Sequence, residues 1–270
     1  MKKNVTTFFT AINLIISKAN NKFKMKKKSW NKILIVSIFA IAMGFLEAVV
    51  VVYLRKLFYP DGFIFPLKGF IEPSILSVEW LREFATIVML VTIGMLAGKK
   101  FYERFAYFIY AFAIWDIFYY IFLKLTLNWP SSFFTWDLLF LIPWPWVGPV
   151  IAPILYALVF IIMASLIISF EDAGIKVKIN IWEWLLIIIG GLVSLSTWLY
   201  DYGRIIFSSG FAKQFFTLAE NPEFYNVISN YSPSYYNWVV FLIGWGMVCT
   251  GIIIFYLRHN KNHSRFPTTF

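Results

Sequence analysis

Six apolar runs, each long enough to cross a bilayer, limit what this chain can become. A hydrocarbon core about 30 Å thick takes roughly 20 apolar residues in a helix. The runs are residues 33–54, 77–98, 105–123, 147–170, 181–200 and 236–257. Continuous runs of this length satisfy their backbone groups in lipid as helices. The expected fold is therefore all-α, a six-helix transmembrane bundle. Composition agrees: 14% of residues are charged and 60% hydrophobic, with mean hydropathy +0.71. A soluble domain carries about 25% charged residues.

The net charge of +10 does not read as a nucleic-acid footprint, because the positive residues sit between the apolar runs. Their distribution sets an orientation. With the N terminus inside, the inner segments hold nine lysines before Ile33, then Lys99, Lys100, Arg104, Lys176, Lys178, Arg258, Lys261 and Arg265. The outer segments hold Arg55, Lys56, Lys68, Arg82, Lys124, Arg204 and Lys213. Both termini are thus expected in the cytoplasm, on a multi-pass protein of the cell membrane. Usage rich in Lys, Asn, Ile and Phe, which A/T-rich codons specify, suggests a bacterial inner membrane.

Three stretches organise the chain. Residues 1–29 read as a basic cytoplasmic arm, with Met25 in "MKKKSWNKILIV" as an alternative start. Residues 30–258 form the transmembrane domain and residues 259–270 a cytoplasmic tail. The inner loops are short and the outer ones long. In "WDLLFLIPWPWVGPVIAP", Pro143, Pro145, Pro149 and Pro153 each lack a backbone N–H, which interrupts a helix interior. A short re-entrant or interfacial helix over residues 136–142 is expected, then a break near Trp144 before the fourth span. A tight interfacial turn is the alternative.

The acids inside the spans carry the functional signal, since an intramembrane ionisable group is costly and faces protein or water. Asp116 lies eight residues before Lys124, and Glu47 eight before Arg55. Both therefore sit ~12 Å below the outer surface, on different helices. Tyr119 and Tyr120 are placed to hydrogen-bond Asp116 from the i+3 and i+4 positions. Ala40, Gly44 and Ala48 form a small-residue stripe beside Glu47, of the kind that lets helices approach closely. Glu83 lies ~6 Å below the outer boundary. It shares a face with Glu79 and Thr86, and Arg82 either snorkels outward or pairs with an acid. The candidate substrate- or ion-binding set is Glu47, Arg82, Glu83, Asp116, Tyr119 and Tyr120. An ion pair that merely locks the bundle is the bland alternative.

A secondary set is Asp137, Asp201, Arg204, Trp144 and Trp146. Asp137 is expected to cap the short helix. Asp201 ends a stripe of Gly190, Ser194 and Thr197, with Arg204 one turn on. Trp144 and Trp146 are belt residues or a stacking surface for sugar or lipid. Glu103, Glu171, Asp172 and Glu183 are expected in solvent at the inner boundary.

No phosphate-binding glycine loop, H-E-x-x-H, G-x-S-x-G or E-x-x-H pair is present. One cysteine, Cys249, excludes an intrachain disulfide and a thiolate cluster. No metal and no cofactor are expected. The segments "GFLEAVVVVYLR", "EFATIVML" and "WDIFYYIFLKL" leading to "WPSSFFTWDLLFLIPWPWVGP" resemble a group of uncharacterised bacterial multi-pass membrane proteins. The likeness spans residues 44–153 and implies no activity.

Three functions stay open. The first is transport of a proton, cation or small solute through an outward-facing cavity lined by carboxylates. The second is an enzyme acting on a lipid or lipid-linked substrate at the outer leaflet. The third is an assembly subunit. The lipid bilayer is the expected partner, with a small cation, a proton or a lipid as substrate. Nucleic acid is not expected, and the oligomeric state is open.

Overall fold

The computed structural model describes residues 25–66, 73–212 and 221–265. Most of the arm expected over residues 1–29 lies outside the described residues.

Among the described residues, six helices are long and apolar enough to cross a membrane. They are α1 (Lys27–Phe58), α2 (Pro73–Ala97), α3 (Phe101–Leu127), α4 (Ile151–Asp172), α5 (Ile181–Ser208) and α7 (Trp238–Arg265). A short helix, α6 (Pro222–Ser229), precedes the last span. The chain is an all-α, multi-pass membrane bundle. Asn180 starts α5 with a capping box, its side chain accepting from Glu183 N while Glu183 accepts from Asn180 N. Helix α7 runs to Arg265, past the boundary at 258 expected for the transmembrane domain.

The segment before the fourth span departs from expectation. Residues 136–142 form no helix, and strands β1 (Trp136–Phe140) and β2 (Trp146–Pro149) pair antiparallel instead. Seven residues make only two helical turns, whose nucleation is unfavourable. Pro143 and Pro145 bend the chain so that the arms on either side pair. Pro149 closes β2 and Pro153 enters the first turn of α4, positions where a missing N–H costs little. The fourth span accordingly begins at Ile151 rather than at 147. Part of the hairpin is enclosed by protein: Val147, Asp137 and Leu141 are buried.

Two groups of helices form the bundle. In one, α3 packs on α1, α2 and α4; in the other, α5 packs on α7 and on β2. The small-residue stripes set both contacts. A Cβ at Gly44 would lie 2.9 Å from Trp115 O on α3. Gly190 and Gly244 meet backbone to backbone: a Cβ at either would lie 2.5 Å from the other's carbonyl oxygen. Ser194 Oγ donates to Phe241 O across the same seam at 3.0 Å. Gly244→Leu is therefore expected to part α5 from α7 and to abolish recovery of monodisperse protein in mild detergent, measured by size-exclusion chromatography. Gly246→Leu, at a position where an added Cβ meets nothing within 4 Å, serves as the tolerated control.

The end of the bundle opposite the hairpin is fastened by hydrogen bonds and ion pairs. Asp172 accepts from Lys26 N at 2.9 Å and from Ser29 Oγ at 2.8 Å. Lys100 pairs with Glu171 at 2.6 Å. Glu183, expected in solvent, is fully buried and grips Arg258 through both carboxylate oxygens. His259, placed in the tail by sequence, is buried in α7 against Phe170 and Phe255.

Candidate functional site

Helices that diverge around a hairpin leave space between them. A cavity of about 520 Å³ lies between α1, α2, α3 and α4 on one side and α5 and α6 on the other, with the hairpin against it. Along α5 its lining runs from Gly191 to Ile206, or ~22 Å at 1.5 Å per residue. Its deep end is apolar, built by Ile87, Phe112, Phe160 and Leu195. Its polar residues form a belt nearer the hairpin.

Every member of the candidate set lies on this one wall: Glu47, Arg82, Glu83, Asp116, Tyr119 and Tyr120. Their partnerships differ from those expected. Arg82 makes a short ion pair with Glu47 and a second, at 2.8 Å, with Glu79; Glu83 is 4.0 Å away. Thr86 Oγ1 donates to Glu47 at 3.3 Å. Arg82 thus turns in, one guanidinium among three acids. Glu83 also accepts from Leu141 N of the hairpin at 2.9 Å, so it fastens the hairpin tip to α2.

Asp116 receives no hydrogen bond from Tyr120. That hydroxyl donates to Asp137 at 3.1 Å, because a phenol reaches well beyond the radius at which a neighbouring aspartate ends. Asp116 Oδ2 is buried without a hydrogen-bond partner. Glu47 and Asp116 share a cavity but not a network.

Asp137 is no helix cap. It sits on β1, fully buried, 3.0 Å from Arg55 Nη2. Burial pushes its carboxyl above the ordinary range, while the Arg55 guanidinium pulls the other way. Arg55 is itself buried between aromatic rings, 3.8 Å from the Trp129 centroid and 4.3 Å from that of Phe63. Sequence reading counted Arg55 as an outer loop charge and missed this role. A basic residue two turns beyond Glu47 was the available signal.

The secondary residues divide. Trp144 and Trp146 line the cavity. Trp144 Nε1 also donates to Leu199 O at 3.0 Å, tying the hairpin to α5. Asp201 bonds to Tyr231. Arg204 lies on a separate shallow hollow with Tyr200 and Phe207. Neither Asp201 nor Arg204 joins the cavity belt.

Five buried polar atoms without a partner belong to residues that line the cavity: Arg55 Nη1, Trp115 Nε1, Asp116 Oδ2, Trp198 Nε1 and Tyr202 OH. Buried polar atoms are nearly always satisfied, so their concentration around this cavity makes it the candidate site. Among the described residues, no group of three or more His, Cys, Asp or Glu is placed to hold a metal ion. Comparison with protein families, with curated proteins and with solved structures returns no match.

Proposed function

We propose that this multi-pass membrane protein takes an amphipathic, lipid-like molecule from the bilayer into its cavity and holds it there by both ends. The observation that carries this reading is the division of one long cavity into an apolar foot and a polar belt. Phe112, Phe160, Ile87 and Leu195 suit a hydrocarbon tail. Arg55, Glu83, Trp115, Asp116 and Tyr202 suit a polar head. The volume falls within the roughly 300–1,000 Å³ usual for ligand sites. Entry is lateral, between α2 and α5, which flank the cavity from opposite groups of helices.

In this reading the termini are cytoplasmic and the hairpin lies at the outer leaflet of a bacterial inner membrane, as the lysine and arginine distribution favours. The tail then points toward the midplane and the head toward the interface, as in the leaflet itself. A proton or cation path is supported less well. Glu47 and Glu79 are committed to Arg82, and Asp116 Oδ2 bonds to neither, so no continuous row of acids crosses the bundle.

The test is occupancy. Native mass spectrometry of protein extracted in mild detergent is expected to show one retained amphiphile per chain. Leu195→Trp fills the foot of the cavity and is expected to lower that occupancy at least ten-fold while the protein remains monodisperse. Equal occupancy in wild type and Leu195→Trp removes the proposal.

A further inference from the structure

We infer that the amphiphile carries a protonated amine at its polar end. The inference rests on the reading just given and concerns only the head. Glu47, Glu79, Glu83 and Asp116 line the cavity, with Arg55 and Arg82 as the bases. Asp137, buried behind the wall, occupies Arg55. Arg82 is occupied by Glu47 and Glu79, and Glu83 receives only its far nitrogen at 4.0 Å. Asp116 is left without a cation, and the charged neighbour it feels is another acid, Asp137. Five acids face two bases in surroundings shielded from water. Such an excess is relieved by a cation or by protons.

A second feature points to a ligand independently of the charges. Trp115 on α3 and Tyr202 on α5 line the cavity from its two sides, each more than nine-tenths buried, and the Nε1 of one and the hydroxyl of the other have no partner. They can take an oxygen of the head or a water beside it. The aromatic rings of Trp115, Tyr119, Tyr120 and Trp198 surround the belt, and such faces attract ammonium groups. A bare metal ion fits poorly, since it asks for a cluster of oxygen ligands. An organic ammonium needs one or two acids, aromatic walls and room for its apolar body.

The test compares probes that share a tail. Binding of dodecylamine, dodecanol, dodecanoate and butylamine to the full chain in mild detergent is measured at pH 7 by native mass spectrometry. Dodecylamine is expected to bind at least ten-fold more tightly than dodecanol or dodecanoate, and butylamine at least ten-fold more weakly than dodecylamine. Asp116→Asn is expected to bring the ratio of dodecylamine to dodecanol affinity close to one. Because Asp116 holds no partner, that change removes no bond from the fold; a melting temperature within a few degrees of wild type checks this. Glu83→Gln is the second variant, expected to reduce the same ratio.

Each other outcome overturns a stated part. Equal binding of the three dodecyl probes overturns the amine assignment and leaves the amphiphile reading standing. Butylamine bound as tightly as dodecylamine overturns the amphiphile reading. No dodecyl probe bound overturns both. An amine preference that survives both Asp116→Asn and Glu83→Gln overturns the assignment of the head to these acids.

Discussion

Replacing Arg55 by methionine is expected to lower the melting temperature of the detergent-solubilised protein by on the order of 10 °C. The reason is what the substitution leaves behind. Asp137 is fully buried and depends on Arg55 for its counter-charge at 3.0 Å, with Tyr120 as its other side-chain partner. Removing one member of a buried pair costs about 3–5 kcal/mol, because the survivor stays uncompensated. In a domain of this size that corresponds to roughly 2–4 °C per kcal/mol. Asp137→Leu alone is expected to cost a similar amount, since Arg55 is then the stranded charge between Trp129 and Phe63. The double variant is expected to recover much of the loss, because no buried charge remains and the groups that lose an acceptor, the Tyr120 hydroxyl and the Leu138 N–H, are neutral. A double-mutant cycle read by thermal unfolding measures this coupling directly. Strictly additive losses are the result that defeats the argument.

At the other end of the bundle, the expected effects are unequal for two partners of one ion pair. Glu183 is 0% exposed, whereas the Arg258 side chain is 33% exposed. Arg258→Met leaves an acid with no route to water, and a loss of about 3–5 kcal/mol is expected. Glu183→Gln leaves a guanidinium that can turn toward solvent. It also keeps a side-chain oxygen for Asn180 N, so the cap at the start of α5 survives. A loss of about 1–2 kcal/mol is expected there, the scale of a weakened hydrogen bond to a charged group. The pair is thus worth far more to Glu183 than to Arg258. Melting temperatures of the two variants in the same detergent decide the matter, and equal losses contradict it.

Much of this fold is legible in the sequence because lipid imposes a simple rule on it. The six spans follow from apolar length, and the glycine and serine positions of α5 and α7 follow from the need for close approach. Glu47 and Asp116 line one cavity, in keeping with the count of residues to the nearest basic anchor. What the sequence does not carry is partner choice. Arg82 has four acids within a plausible reach on paper, and only packing selects Glu47 and Glu79. Tyr120 is one turn from Asp116 yet bonds an aspartate seventeen residues on, because the hairpin brings Asp137 to its hydroxyl.

The hairpin itself is the largest departure. A proline-interrupted segment has no helical periodicity and no clean alternation, so its pairing is set by the surrounding helices more than by local preference. Glu183 and His259 were misjudged for a related reason. Both lie at helix ends, where sequence position suggests water and tertiary packing supplies protein instead.

The backbone contact between Gly190 and Gly244 has a mechanical consequence. With no side chain between them, α5 and α7 have no compressible layer along which to slide or separate, so they move as a single plank. Tyr156 extends that plank toward α4 through its bond to Gly190 O. Gly44 on α1 and Gly94 on α2 seat those helices against the α3 backbone just as closely, so the first group of helices is a second plank. On the proposed reading, a guest then enters between the two planks and not within either.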